Sequence, residues 1–213
     1  MTDRQRRTPL YTSTQALARG LWRLIGGSIE IAGMENVPAY GPVLIISNHQ
    51  SLLDPILTQA VLRRPVHAMA KSTQFTVPGV GWLMRHLCVF PVRRFQIDPQ
   101  ATRHALRLLE QGEAVIVYIE GERSWNRQLQ APRPGTARLA LRTAAPTVLC
   151  AISGTYDAWP RWDRRPRRAR VSIRFTPPLE LPTVRGRANR DLARPTAHRI
   201  MEGLARALGQ PAP

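Results

Sequence analysis

The chain has 213 residues, 31 basic and 14 acidic side chains, and a formal net charge of +17. Its length suits a single α/β domain with ample chain for a core. An apolar fraction of 43% with 21% charged residues excludes intrinsic disorder and a coiled coil. No run approaches the roughly 18 apolar residues of a spanning helix, so a polytopic membrane protein is excluded too. The charge points to a polyanion: nucleic acid, an anionic membrane surface or an acidic partner.

Lys71 is the only lysine. Residues 1–106 carry 12 basic and 5 acidic groups and residues 107–213 carry 19 and 9, so the charge is no tail. The one dense block is Arg161-Trp-Asp-Arg-Arg-Pro-Arg-Arg-Ala-Arg170, which reads equally as a solvated loop or a binding patch. No helix-turn-helix, RRM, KH or zinc module accompanies the charge, so specific nucleic-acid recognition is not expected.

The charged N-terminus lacks the long apolar segment of a secretory signal. Across residues 10–31, Leu17, Leu21, Leu24 and Ile25 share one helical face. With Trp22, Arg19 and Arg23 among them, the segment reads as an interfacial helix or as an ordinary core helix. β-like runs follow at 43–47, 66–70, 88–92, 114–119, 147–153 and 171–175. Helical spacing marks 99–112, through Ala101, Ala105, Leu108 and Leu109, and 196–208, through Ile200, Leu204 and Leu208. Strands alternating with helices predict an α/β layered fold, its sheet largely parallel or mixed. The proline-rich stretches 160–166 and 177–182 read as surface connections. Cys88 and Cys150 sit in apolar runs and suit reduced thiols rather than a disulfide framework.

Four of the six runs end directly in polar or charged residues, at the end of a strand where open α/β sheets bind ligands. The first is Ser47-Asn-His-Gln-Ser-Leu-Leu-Asp54, an imidazole and a carboxylate that suit a base and its orienting partner. Five helical positions rotate by about 140°, so His49 reaches Asp54 only from a turn that folds back over the helix start. The second is Tyr118-Ile-Glu-Gly-Glu-Arg-Ser124. There Gly121 allows close backbone approach, Arg123 suits bidentate grip of an anion, and Ser124 offers a hydroxyl. Each sequence alone reads first as structural, a helix cap in one case and a charged turn in the other. Lys71 and Arg94 end two further strands and could join Arg123 on one phosphate.

Together these motifs resemble the lysophospholipid acyltransferase family, of the bacterial 1-acyl-sn-glycerol-3-phosphate acyltransferase type. Asn48, His49 and Asp54 match its NHxxxxD motif, and Phe90-Pro-Val-Arg-Arg94 is similar to its second motif. Residues 118–124 are similar to its F-P-E-G-T-R-S motif, and Pro146-Thr-Val-Leu-Cys-Ala-Ile152 to its fourth. The resemblance implies His49 as general base with Asp54 orienting it. It also implies Arg94, Glu120, Gly121, Arg123 and, more weakly, Lys71 as ligands of a glycerol phosphate, with Asn48 and Ser124 in support. The implied reaction moves an acyl chain from acyl-CoA or acyl carrier protein to 1-acyl-glycerol 3-phosphate, with no bound cofactor and no metal. A lipid substrate with no spanning helix implies peripheral binding at the cytoplasmic face of a membrane, through residues 10–27 and arginine contacts with anionic lipid. The loop 75–82 reads equally as a second contact or a packed turn. The expected division is an N-terminal arm and helix at 1–30 and an acyltransferase domain at 31–213. Three positions depart from the family pattern: Ile119 and Leu149 replace prolines, and Glu122 replaces threonine. A carboxylate beside a phosphate grip is unfavourable unless it faces away or pairs with arginine. A different acceptor, such as an amino-acid lipid, is the first alternative; a basic nucleic-acid-binding protein or a non-catalytic lipid-binding homologue ranks below it.

Overall fold

A computed structural model describes residues 8–93, 98–184 and 189–213. Its strands are β1 (Ser28–Ala32), β2 (Val43–Ser47), β3 (Val66–Lys71), β4 (Val89–Val92), β5 (Ala114–Tyr118), β6 (Thr147–Ser153) and β7 (Arg170–Phe175). They form one mixed sheet in the order β1-β7-β6-β2-β5-β3-β4. Five strands, β6, β2, β5, β3 and β4, run parallel. β7 joins β6 antiparallel and β1 joins β7 parallel, so these two run the other way. The expected α/β fold with a parallel or mixed sheet is what forms.

Every residue of β2 is buried, as a central parallel strand covered on both faces requires. Side-chain alternation divides the core. Leu44, Ile46, Val115 and Val117 face α4 (Pro99–Glu110), α5 (Pro134–Arg142) and α7 (Asn189–Leu208). Val43, Ile45, Ala114 and Ile116 face α2 (Leu53–Val61) and Trp22. β4 is an edge strand, which is why Pro91 is tolerated inside it.

Adjacent strands β2 and β5 pair up to Ser47 and Tyr118. The chain then leaves β2 for α2 on one face and leaves β5 for α5 on the other. Neighbouring strands whose exits diverge open a crevice at their carboxyl ends. That crevice holds the polar residues of the first and third motifs.

The N-terminal segment divides differently from its sequence reading. Helix α1 spans Pro9–Leu24, with Thr8 accepting from the Tyr11 amide as its cap, and β1 straddles the expected boundary at residue 30. Trp22, taken with the interfacial residues, is buried in the core, its ring filling the space above Gly27. Gln15 and Arg19 donate to carbonyls at the end of α2 and just beyond it. The leucine face points the other way: Leu17, Leu21 and Leu24 are 59%, 50% and 82% exposed. In the 75–82 segment, Val77, Val80 and Trp82 are exposed too, and its second half opens the short helix α3 (Val80–His86). Among the described residues no helix is long and apolar enough to cross a membrane.

Candidate active site

The turn after β2 is held by bonds within itself and by bonds to the backbone beyond it, such as the Ser51 hydroxyl donating to the Trp159 carbonyl at 2.6 Å. Asn48 extends the strand by one rung: its amide donates to the Ile152 carbonyl and accepts from the Ile152 N–H, both at 2.8 Å. Only a side chain holding both a donor and an acceptor can mimic a strand partner in this way. His49 lies beyond that rung, before α2. Asp54, in the first turn of α2, folds back so that Oδ2 accepts from the Gln50 and Ser51 amides at 2.6 and 2.7 Å. The same oxygen lies 2.7 Å from His49 Nδ1. A carboxylate so placed holds the proton on Nδ1 and leaves Nε2 as the basic nitrogen. Stacking on Tyr118, with ring centroids 4.3 Å apart, fixes the imidazole plane. Burial and nearby Asp54 push the Tyr118 phenol well above its ordinary value, so the stacked ring stays neutral.

The loop after β5 closes over this turn. The Ser124 amide donates to the His49 carbonyl at 2.7 Å, and the Gln50 side chain donates to the Arg127 carbonyl. The Ser124 hydroxyl donates to the Gln128 carbonyl at 2.7 Å, so it holds its own loop together. Glu120 is 2% exposed, and its carboxyl accepts from the His49 and Gln130 amides. Burial is the main cause that pushes its pKa up to about 8, with Asp54 and Glu122 adding repulsion. The resemblance implied Glu120 as a ligand of phosphate; its position instead joins the two loops behind the imidazole. Gly121 turns the chain at φ +71°, and a Cβ there would lie 2.9 Å from Arg133 Cγ.

His49 and Arg123 both line a cleft of about 460 Å³. Its other walls are largely apolar and come from α1, α2, β3 and α3, including Ala18, Ile56, Met69, Val80 and Met84. Arg123 is half-buried and makes no ion pair among the described residues. Burial and Arg161 lower its pKa, while Asp54 raises it. Lys71 is exposed at the end of β3, two strand spacings or about 10 Å from β2, and does not line this cleft. Arg94 falls within 94–97, outside the described residues. A larger concavity of about 1180 Å³ follows edge strand β4 and includes Arg93, Arg103 and Arg107, but neither His49 nor Arg123. The smaller cleft is therefore the one shared by His49 and Arg123.

A family model described as Acyltransferase matches residues 28–153. The chain belongs to that acyltransferase family. It is 32% identical over 136 residues to the chloroplastic 1-acyl-sn-glycerol-3-phosphate acyltransferase of Brassica napus, which covers 62% of this chain and 39% of the relative. The 1-acyl-sn-glycerol-3-phosphate acyltransferase of Borreliella burgdorferi is 27% identical over 137 residues, covering 63% of this chain and 54% of the relative. The chain thus spans about two-fifths to a half of the length of these relatives. The fold is also that of the 1-acyl-sn-glycerophosphate acyltransferase of Thermotoga maritima, with a TM-score of 0.74 at 21% identity over 92% of this chain and 79% of the other.

The three departures from the family motifs have local reasons. Ile119 is fully buried, and its N–H donates to the Ser47 carbonyl, continuing the β2–β5 ladder where proline would have no donor. Leu149 likewise uses its N–H, toward the Thr176 hydroxyl. Its side chain fills the space beside Gly203, where a Cβ would lie 2.4 Å from Leu149 Cδ1. Glu122 lies 3.6 Å from both Arg133 and Arg161, so it is paired rather than turned freely to solvent. Gln50 and Tyr118 lie within the two motifs, though their contacts with Arg127 and His49 are tertiary, and nothing in the residue spacing indicated Arg161 or Arg133.

Proposed function

We propose that this protein transfers a fatty acyl chain from an acyl thioester to the free hydroxyl of 1-acyl-glycerol 3-phosphate. The observation that carries this reading is the His49–Asp54 pair opening, together with Arg123, onto an apolar cleft. His49 Nε2 takes the proton of the attacking hydroxyl as its oxygen bonds to the thioester carbonyl. Asp54 supports the imidazolium that forms. Collapse of the tetrahedral intermediate breaks the C–S bond, and the imidazolium returns the proton to the departing thiolate. Ester and free thiol are the products, and the reaction needs no metal because the thioester carbonyl is already electrophilic. Arg123 binds the acceptor's phosphate in a site whose half-burial strengthens that attraction. The apolar walls take a hydrocarbon chain.

Access to such a substrate calls for attachment to a membrane surface. Leu17, Leu21 and Leu24 on α1, with Val77, Val80 and Trp82 before and within α3, are apolar, exposed and near the cleft walls. Exposed apolar side chains of this kind suit peripheral insertion, and the chain's excess of arginine suits anionic lipid. The donor is acyl-CoA or acyl carrier protein.

The test is to incubate the purified chain with both donor types and a panel of lyso-lipids, identifying products by mass spectrometry. Phosphatidate from 1-acyl-glycerol 3-phosphate is the expected product. Transfer to another lyso-lipid with none to this acceptor would overturn the assignment.

A further inference from the structure

Of the six arginines in the 161–170 block, Arg161 alone is half-buried; Arg164, Arg165, Arg167, Arg168 and Arg170 are all exposed. It follows α6 (Thr155–Ala158) and reaches the loop after β5 at three places, Glu122, Arg123 and Trp125. Its Nη1 lies 3.6 Å from Glu122 Oε2. The same nitrogen donates to the Arg123 carbonyl at 3.1 Å. Its guanidinium carbon sits 3.4 Å above the centre of the Trp125 ring. The Glu122 and Arg161 side chains are only 24% and 22% exposed, so water screens this pair less than a surface pair. Arg133 approaches the other Glu122 oxygen at 3.6 Å but is 50% exposed.

Glu122 adjoins Arg123 in the chain, and consecutive Cα atoms lie about 3.8 Å apart. Left alone, a carboxylate so close would pair with the Arg123 guanidinium or repel an incoming anion. We propose that Arg161 is a positioning residue that takes up the charge of Glu122 and so keeps Arg123 available to the phosphate of the acceptor. The threonine-to-glutamate departure in the third motif and the otherwise unexplained arginine after α6 are then one coupled feature. The cation–π contact and the hydrogen bond to the Arg123 carbonyl hold Arg161 in the planar geometry that the task needs, which lysine lacks.

This inference rests on the proposed role of Arg123, and a double-mutant cycle separates the two. Arg161→Ala is expected to raise KM for 1-acyl-glycerol 3-phosphate about tenfold while kcat and the donor's KM stay within about threefold. Arg161→Lys should fall between wild type and Arg161→Ala. Adding Glu122→Thr to Arg161→Ala should return the acceptor KM to within about threefold of wild type, because the competing carboxylate is gone. Circular dichroism melting of each variant checks that it folds. A double variant as weak as Arg161→Ala, or an unchanged acceptor KM in Arg161→Ala, would overturn the inference and leave the reaction assignment standing. A wild-type enzyme that acylates uncharged lyso-lipids and ignores the phosphate-bearing one would overturn both.

Discussion

The turn after β2 and the loop after β5 meet at one cleft but are held by different forces. The first is fixed by uncharged backbone groups converging on Asp54 Oδ2 and by the two-way amide bond of Asn48. The second, besides its hydrogen bonds to that turn, carries charge and aromatic contacts: Arg133 from its own far end and Arg161 from more distant chain on Glu122, and Arg161 on Trp125. Backbone hydrogen bonds to a buried carboxylate tolerate little displacement, which suits a base whose proton transfer demands exact reach. Ion pairs on partly exposed side chains can rearrange at modest cost, which suits recognition of a head group. Rigidity thus sits at the proposed base and adaptability at the proposed phosphate site.

The largest effect is expected at the β2 turn, where the proposed base lies. His49→Ala should lower kcat by about 10²- to 10⁴-fold while binding to anionic lipid vesicles persists. Asp54→Asn should cost about a hundredfold, since an amide cannot support the imidazolium. Stopped turnover with unchanged vesicle cosedimentation is the signature to look for; near-normal turnover in His49→Ala would remove the base from the site.

A second effect tests the outer face of α1. Replacing Leu17, Leu21 and Leu24 together with glutamine should weaken vesicle binding tenfold or more, since each leucine withdrawn from water contributes roughly 1.5–3 kcal/mol. Thermal stability should hardly move, because these side chains are already exposed. A large drop in melting temperature with intact vesicle binding would mean that this face packs on protein instead.

The smallest effect concerns Glu120, which joins the two regions. Its pKa in the folded chain is about 8, against an ordinary value of 4.5. Between those values the folded state holds a proton that the unfolded chain releases, so this group's contribution to stability falls as pH rises through the window. Glu120→Gln cannot ionise, so its stability relative to wild type should climb from pH 4.5 to 8. Denaturant melts across that range measure the difference, and a flat profile would show Glu120 to be an ordinary carboxylate.

The two regions also differ in how far they could be read beforehand. Strands at 43–47 and 147–153 were legible because buried central strands need unbroken apolar runs. β1 was missed: as an edge strand it shows only Ile29, Ile31 and Ala32, and it follows a helix whose apolar spacing runs to its doorstep. The His49–Asp54 pair could be anticipated together with the back-folded turn it requires, since both residues lie within six positions. Glu120 shows the limit, for its sequence neighbours suit a ligand of phosphate while its side chain turns inward to the His49 amide. Arg161 could not be singled out among arginines that look alike in sequence.

The net charge of +17 was the broadest signal and the least informative, since thirty arginines are equivalent until something buries one of them. By itself the sequence determined the α/β layering, the order of the motifs and the short-range pairing within the β2 turn, because these depend on periodicity and on near neighbours. Tertiary structure alone decided which face of α1 meets solvent, which carboxylate sits behind the base and which arginine answers Glu122. Those outcomes depend on burial and on contacts tens of residues apart, where desolvation and pairing act between groups that the chain's order does not bring together.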